Sequence, residues 1–215
     1  MESQYNDKQL HIMEVALRLF ADQGFTKTSV RNIADEAAVN LAMISYYFGS
    51  KQELLEAIFD WHLSEKTSKI DAIISNDKLE PFQMIERFVD FFVISFYKSR
   101  QFNKIMIRET TKEVGKDSVI FSKVVKSRME NRRTIESVIK KGQTTGLFRK
   151  DIDVVMLACV MIGAINQVIS NTPYYSLVYN IPEDNEELYQ QKVVKKLSKE
   201  LKVMLKAYLT NDTEK

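Results

Sequence analysis

Residues 28–51 constrain the fold of this chain more than any other stretch, because they carry the start and stop signals of consecutive short helices. Thr28 is a good N-cap residue. Apolar residues then recur at helical spacing, at Val30, Ile33, Ala34 and Ala37. Asn40 can cap a second short helix, and Gly49 can end it. Two short helices joined by a tight corner are the plan of a helix-turn-helix, whose second helix lies in the major groove of DNA.

The second short helix carries two adjacent tyrosines, Tyr46 and Tyr47, which cannot both point into one core. At least one phenol should reach outward, where its hydroxyl can bond a phosphate or its ring can contact a thymine methyl. The alternative is a surface helix with an exposed aromatic pair, since short matches to this pattern are common by chance. The pattern alone leaves both interpretations open.

The composition predicts an all-α protein. The chain has 215 residues, with only six Gly and three Pro. It shows no strand-like alternation of apolar and polar residues, and its make-up is rich in Leu, Ile, Lys and Glu. This length is enough for a sizeable core and for one or two domains.

The sequence also lacks the signatures of several functional classes. Two isolated histidines and one cysteine, Cys159, do not make a usual zinc site, and a single cysteine fits a reducing cytoplasm. P-loop, nucleophile-elbow and dinucleotide-binding motifs are missing, so we expect no catalytic residues, no metal and no cofactor. No apolar run approaches the roughly 20 residues that span a bilayer, and the polar N-terminus does not resemble a signal peptide. We therefore expect a cytoplasmic protein without a membrane partner.

The first fifty residues are slightly acidic, although the net charge of the whole chain is +2. Their basic residues are Lys8, Arg18, Lys27 and Arg31, and their acidic residues are Glu2, Asp7, Glu14, Asp22, Asp35 and Glu36. This balance argues against strong nonspecific binding to DNA, which depends on neutralised phosphates. A monomer should bind DNA poorly, so dimerisation, which doubles the contacts, is close to a requirement.

Three segments of the chain resemble the N-terminal domain of the TetR family of bacterial transcriptional repressors. They are FADQGFTKTS at 20–29, IADEAAV at 33–39 and ISYYFGSKQELL at 44–55. The resemblance covers about residues 8–60, and its motifs are specific in order and spacing. Beyond that range the resemblance is one of architecture only.

The resemblance implies an all-α fold of about nine helices. An N-terminal three-helix helix-turn-helix DNA-binding domain would occupy residues 1–50, together with the start of a linking helix to about residue 60. That helix would continue to about residue 76. A helical ligand-binding and dimerisation domain would occupy residues 51–215.

The resemblance also implies the DNA contacts. The expected phosphate anchors are Thr28, Tyr47 and Lys51, the base-facing residues are Leu41, Met43 and Tyr46, and the other contacts are Ser29, Arg31, Asn40 and Ser45. Two residues depart from the family pattern. Many members have Lys or another polar residue in place of Leu41, and Tyr in place of Ser45. With apolar Leu41 and Met43, base reading should rely on thymine methyls, which predicts A·T-rich half-sites.

Two apolar helices near the C-terminus are expected to form a homodimer interface. Residues 154–170 are the most apolar segment, which Thr172-Pro173 should stop, and 174–187 should form a loop or a partial turn. The last helix has apolar residues at three- and four-residue steps, the spacing of a helix-pairing seam. In the family these two helices pair with their mates from a second subunit as a four-helix bundle. The expected interface residues are Val160, Ile169, Val193, Leu197, Leu201, Met204 and Tyr208. The alternative is that both helices close a monomeric core.

Aromatic and methionine side chains are concentrated from Pro81 onward, and such soft side chains suit either an irregular core or a cavity for a hydrophobic ligand. The resemblance favours a cavity, with Phe88, Phe92, Met106, Arg108, Met129, Met161, Asn166 and Tyr174 as candidate ligand-binding residues. The function expected is that of a homodimeric repressor, which a small hydrophobic effector releases from a palindromic operator in double-stranded DNA. The alternatives are a regulator of the same fold that a protein partner controls, and a helical interaction protein without DNA binding.

Overall fold

The computed structural model describes residues 4–76, 78–111, 118–183 and 185–210, and within these ranges it contains helices and no strand. The helices are α1 (Asp7–Gln23), α2 (Val30–Glu36), α3 (Leu41–Phe48), α4 (Lys51–Ile74), α5 (Pro81–Lys98), α6 (Arg100–Thr111), α7 (Val119–Thr144), α8 (Val154–Ser170), α9 (Thr172–Val178), α10 (Glu186–Tyr189) and α11 (Lys195–Leu209). A π-helical turn, Gln190–Val194, joins α10 to α11. The predicted all-α class is confirmed.

The chain divides into two compact units. The N-terminal unit consists of the described residues of Met1–Thr67 and Gln101–Ser127, and the C-terminal unit consists of those of Ser68–Arg100 and Arg128–Lys215. The division thus falls within α4, whereas the sequence suggested a boundary at residue 50. The first part of α4 packs with the rest of the N-terminal unit, which we call the head, because Leu54, Leu55 and Phe59 are fully buried in the same core as α1.

The N-terminal unit is built on α1, which begins at a capping box between Asn6 and Gln9. Its inner residues, including Ile12 and Phe20, are completely buried. The end of α1 is also tied to α6, because Arg108 Nη1 donates a hydrogen bond to the carbonyl oxygen of Phe20 at 3.2 Å. These contacts form the base on which α2 and α3 lie.

The C-terminal unit packs α5 against α8 and α11. Residues such as Phe88, Val93, Ile165 and Leu205 form its apolar core. On the edge of this core, the carboxylate of Asp90 on α5 accepts hydrogen bonds from Ser198 Oγ and Lys202 Nζ on α11, both at 2.6 Å. This pairing fixes the register between the two helices.

The expected loop or partial turn at 174–187 is wrong at both ends, because α9 extends to Val178 and α10 begins at Glu186. Thr172-Pro173 follows the end of α8 at Ser170, as the sequence indicated, but it also starts α9. Proline is well tolerated in the first turn of a helix, because the missing N–H there has no intrahelical partner.

Among the described residues no single helix is long and apolar enough to cross a bilayer. Only α8 and α9 taken together have the length and composition to do so, and a bend of 79° separates them.

Candidate nucleic-acid interface

The helix α2 begins one residue later than the sequence suggested. Its N-cap is Ser29, whose hydroxyl accepts from the Asn32 backbone N–H while the Asn32 side chain accepts from the Ser29 N–H. Thr28 is completely buried, and its hydroxyl donates to the carbonyl oxygens of Gly24 (2.9 Å) and Leu19 (3.3 Å). The predicted N-cap at Thr28 is therefore wrong, and its side chain secures the α1–α2 corner from inside.

The corner between α2 and α3 closes on Ala38. The backbone N–H of Ala38 donates to Asp35 O at 3.2 Å, and that of Val39 donates to Ala34 O at 3.0 Å. Ala38 has φ of 53°, a left-handed conformation that costs an L-residue free energy. Asn40 then caps α3 by accepting from the N–H of Ala42 at 2.8 Å, as predicted.

Replacing Ala38 by glycine should stabilise the protein, because glycine adopts the left-handed conformation without a clash of its Cβ. We expect the free energy of unfolding to rise by about 0.5–1 kcal/mol, or a thermal midpoint about 2–4 °C higher. Ala42→Gly is the matched control: Ala42 is exposed inside α3, so glycine there should lower the midpoint. Equal shifts in the two variants would contradict this account of the corner.

The helix α3 has one buried face and one face in solvent. Ile44 and Phe48 are buried against the core of the N-terminal unit. Tyr46 is 84% exposed, and its ring lies edge-on to the ring of Tyr47, with centroids 5.3 Å apart. Of the predicted DNA contacts, six are exposed (Ser29, Arg31, Asn40, Leu41, Ser45 and Tyr46), three are half-buried (Met43, Tyr47 and Lys51), and Thr28 is buried.

Lys51, the first residue of α4, ties this helix to the α1–α2 corner. Its Nζ donates to the carbonyl oxygens of Phe25 (2.9 Å) and Thr28 (2.8 Å), and it lies 4.4 Å from the centroid of the Phe25 ring. An ammonium group has three donors, so one N–H is left for a phosphate. The role as a phosphate anchor stays a prediction, but the structural role is visible in these contacts.

Lys51→Met should affect stability and DNA binding in separable ways. Methionine keeps the apolar stem over Phe25 but loses both hydrogen bonds, so the free energy of unfolding should fall by about 1–2 kcal/mol. If each head also loses one phosphate contact, the slope of log K against log salt should become shallower by about 1.8 for a dimer. Thermal unfolding and DNA titrations at several salt concentrations measure the two effects. The control is Lys27→Met in the same exposed corner, which should leave stability unchanged. An unaltered slope for Lys51→Met would remove Lys51 from the phosphate contacts and leave only its structural role.

One basic and one acidic residue of the N-terminal unit pair with each other. Arg18 on α1 forms an ion pair with Glu36 at the end of α2, at 2.7 Å, which leaves the net negative charge of the first fifty residues unchanged. Arg31 lies exposed on the first turn of α2, close to its N-terminus. The partial positive charge of the helix N-terminus adds to that of Arg31, so this end of α2 suits a phosphate.

These features together define a helix-turn-helix protein, in which α1 and α2 present the outer face of α3 to solvent. Residues 12–58 match the family model described as "Bacterial regulatory proteins, tetR family", and residues 81–195 match the one described as "Tetracyclin repressor-like, C-terminal domain". Because the second match alone covers more than half of the 215 residues, the chain belongs to the TetR family. It is a DNA-binding transcriptional regulator and not an enzyme.

Relatives of known name are similar over much of the chain. The HTH-type transcriptional repressor NicS of Pseudomonas putida is 28% identical over 142 residues, which cover 66% of this chain and 66% of NicS. The HTH-type transcriptional repressor KstR2 of Mycolicibacterium smegmatis is 25% identical over 158 residues, covering 71% of this chain and 73% of KstR2.

Solved structures share the fold at low identity. A Clostridium perfringens putative fatty acid metabolism regulator has a TM-score of 0.71 and 20% identity, covering 94% of this chain and 100% of that one. FadR of Bacillus subtilis, solved in complex with stearoyl-CoA, has a TM-score of 0.68 and 14% identity, covering 93% and 98%. Both comparisons extend the shared fold well beyond the helix-turn-helix.

The structure divides the predicted ligand-binding residues between the two units. Met106 is buried in the core of the N-terminal unit, to which Arg108 also belongs. In the C-terminal unit, Phe88 and Met161 line one apolar cavity of about 30 Å³, too small for an effector, and Phe92 is buried in the same core. Met129 and Tyr174 are exposed, and Asn166 is half-buried. The composition indicated soft side chains correctly but carried no information on which unit each of them joins.

The predicted interface residues point in two directions. Val193 in the π-helical turn, Leu201 on α11 and Ile169 on α8 are buried in the core of their own unit. Val160 (61% exposed) and Met204 (58% exposed) instead face solvent, and Leu197 and Tyr208 are half-buried. Val160, Met204 and Tyr208, together with Met156, line an apolar groove of about 220 Å³ between α8 and α11.

Sequence reasoning missed a second cavity of the C-terminal unit, between the end of α5, α9 and α10. Its lining includes Tyr97, Arg100, Glu186 and Tyr189. No motif marks these residues, because they lie almost ninety positions apart and only the packing of α10 against α5 brings them together.

The described residues contain no group of three or more His, Cys, Asp or Glu side chains that could hold a metal ion.

Proposed function

We propose that the protein is a cytoplasmic homodimeric repressor, which binds a palindromic operator and is released by a small hydrophobic effector. The observation that carries the DNA-binding part is the outward face of α3, where Tyr46 is 84% exposed while Ile44 and Phe48 hold the helix from behind. Two such helices, one in each protomer, would enter successive major grooves roughly 34–36 Å apart.

The groove between α8 and α11 supports the homodimer. An exposed apolar surface of this kind on a soluble protein marks an interaction site, because water contact with Met156, Val160 and Met204 is unfavourable. A two-fold axis would place the same patch of each protomer against its mate. This supports dimerisation through α8 and α11, although with a smaller share of the last helix than the seam predicted.

The effector proposal rests on relatives. One structural neighbour is described as a putative fatty acid metabolism regulator, and another was solved with stearoyl-CoA. We infer an effector with an apolar portion of similar kind for this chain. It would act by binding more tightly to a conformation in which the two recognition helices are wrongly spaced. The effector can shift the equilibrium between the two conformations by no more than the difference in its affinity for them.

Selection of binding sites from random DNA tests the proposed function directly. We expect inverted half-sites that are rich in A·T pairs, because Leu41 is exposed and Met43 half-exposed on the outer side of α3, where both can contact thymine methyl groups. Half-sites dominated by G·C pairs would contradict this base reading, and recovery of no preferred sequence would overturn the proposal of a specific operator.

One observation favours a second candidate, regulation by a protein partner. The short helix α9 exposes Tyr174, Leu177 and Val178. Leu177 is 79% exposed, which is unusual for a leucine in a helix, and the three side chains form an apolar surface on which another protein could dock. Leu177→Glu should then abolish regulation while leaving DNA binding unchanged.

A further inference from the structure

The cavity between the end of α5, α9 and α10 lies wholly within the C-terminal unit and has a volume of about 220 Å³. This is below the roughly 300–1,000 Å³ of sites for drug-sized ligands, so its occupant should be small, with a single ring. Two charged residues, Arg100 and Glu186, are part of the described lining, and the rest is aromatic, aliphatic or neutral and polar.

Two stacked tyrosines form a rigid aromatic wall of this cavity. The rings of Tyr97 and Tyr189 are nearly parallel, at 11°, with centroids 6.0 Å apart, and both residues are buried. Tyr97 donates to the carbonyl oxygen of Glu186 (3.3 Å), and Tyr189 donates to that of Val168 (3.0 Å). Burial raises the pKa of both phenols, so they remain neutral donors at physiological pH and the wall stays uncharged.

Arg100 places a cation at the mouth of the cavity. Its guanidinium lies 5.7 Å from the centroid of the Tyr97 ring and forms an ion pair with the carboxylate of Glu186. The Glu186 side chain is 66% exposed, and exposed ion pairs contribute little to stability. Glu186 can therefore leave Arg100 at small cost, while the ring of Tyr97 keeps the guanidinium in place.

The backbone around the cavity departs from regular geometry. The π-helical turn Gln190–Val194 follows Tyr189 directly, and Asn180, next to the lining residue Ile181, has φ of 50°. Turns of the π type inside helices occur frequently at functional sites. Here the π turn lies where Tyr189 enters the cavity wall.

We propose that this cavity binds a small aromatic monocarboxylate, whose ring lies against Tyr97 and Tyr189 and whose carboxylate replaces that of Glu186 on Arg100. The planar fork of arginine matches a carboxylate with two parallel hydrogen bonds, which makes Arg100 the anchor of the site. This site is separate from the apolar effector of the proposed function, and ligand binding here does not require that the protein bind DNA.

Calorimetric titration of the DNA-free protein with benzoate tests the proposal. We expect a Kd on the order of 1 mM, as befits so small a ligand, and at least about tenfold weaker binding of the neutral analogue benzamide. Arg100→Gln should weaken benzoate binding about tenfold or more, because the charge-assisted pair is lost. Glu186→Gln should have the opposite effect, about threefold tighter binding, since it removes the carboxylate that competes for Arg100.

The matched control is Arg132→Gln on α7, which removes an exposed ion pair with Glu136 (2.7 Å) away from the cavity and should leave benzoate binding unchanged. Thermal unfolding of all three variants shows whether they are folded alike. Equal affinities for benzoate and benzamide, no heat of binding at millimolar benzoate, or weaker binding by Glu186→Gln would each overturn the proposal. Operator binding is measured separately, so a failure of the proposed repressor function would be seen independently.

Discussion

Val160→Glu is expected to convert the protein to a monomer and to abolish operator binding. Val160 is 61% exposed in the single chain, so a glutamate there should not disturb folding. In the proposed homodimer the same substitution would bury two like charges near a two-fold axis, which costs several kcal/mol. We expect operator affinity to fall at least about a hundredfold, because a monomer keeps only one half of the DNA contacts. Light scattering at micromolar concentration and gel shifts with the selected operator measure both effects.

Leu177→Glu is the matched control for this experiment, because it introduces the same charge at an even more exposed apolar residue of the C-terminal unit. It should leave the dimer intact. The sole cysteine, Cys159, is exposed on α8 next to Val160 and provides a second readout: a short bifunctional maleimide should link two wild-type chains but not two Val160→Glu chains. A dimeric, DNA-binding Val160→Glu protein would place the interface elsewhere, and a monomeric Leu177→Glu protein would place it on α9.

Tyr46→Ala is expected to weaken operator binding without changing stability. The side chain is 84% exposed and makes an edge contact with Tyr47, so its loss removes little from the folded protein. A hydrogen bond or methyl contact to DNA contributes about 1 kcal/mol per head, which amounts to roughly a thirtyfold loss of affinity for a dimer. Gel shifts and thermal unfolding of the same preparation separate the two quantities.

Tyr174→Ala serves as the control, since Tyr174 is also an exposed tyrosine paired with a neighbouring one, Tyr175, but lies on α9. It should bind the operator like the wild type. Unchanged operator binding by Tyr46→Ala would show that the exposed Tyr46 side chain does not contribute to DNA recognition.

The sequence was most informative where local chemistry decides the structure. The cap of α3 at Asn40 and its end at Gly49 depend on a few neighbouring residues, and both were predicted correctly. The choice between Thr28 and Ser29 was not local. Both are good N-cap residues, and Ser29 caps α2 because the Thr28 hydroxyl is engaged by the carbonyl groups at the end of α1.

Periodicity also shows which side of a helix is apolar but not what covers it. Val193, in the π-helical turn, and Leu201, on α11, pack within their own unit, while Met204 on α11 faces outward. In the same way, the sequence placed Met106 and Arg108 among the ligand-binding residues, whereas the fold assigns both of them to the N-terminal unit. Such assignments depend on contacts between residues far apart in the chain, which no local pattern contains.

The apolar groove between α8 and α11 has a consequence for gene dosage. When two chains must associate before they can hold an operator, the concentration of competent repressor at low expression rises with the square of the chain concentration. Halving the supply of chains would then cut occupancy of a weak operator about fourfold. The activity of the regulated promoter would therefore respond more steeply to chain concentration than it would to a repressor that binds as a monomer.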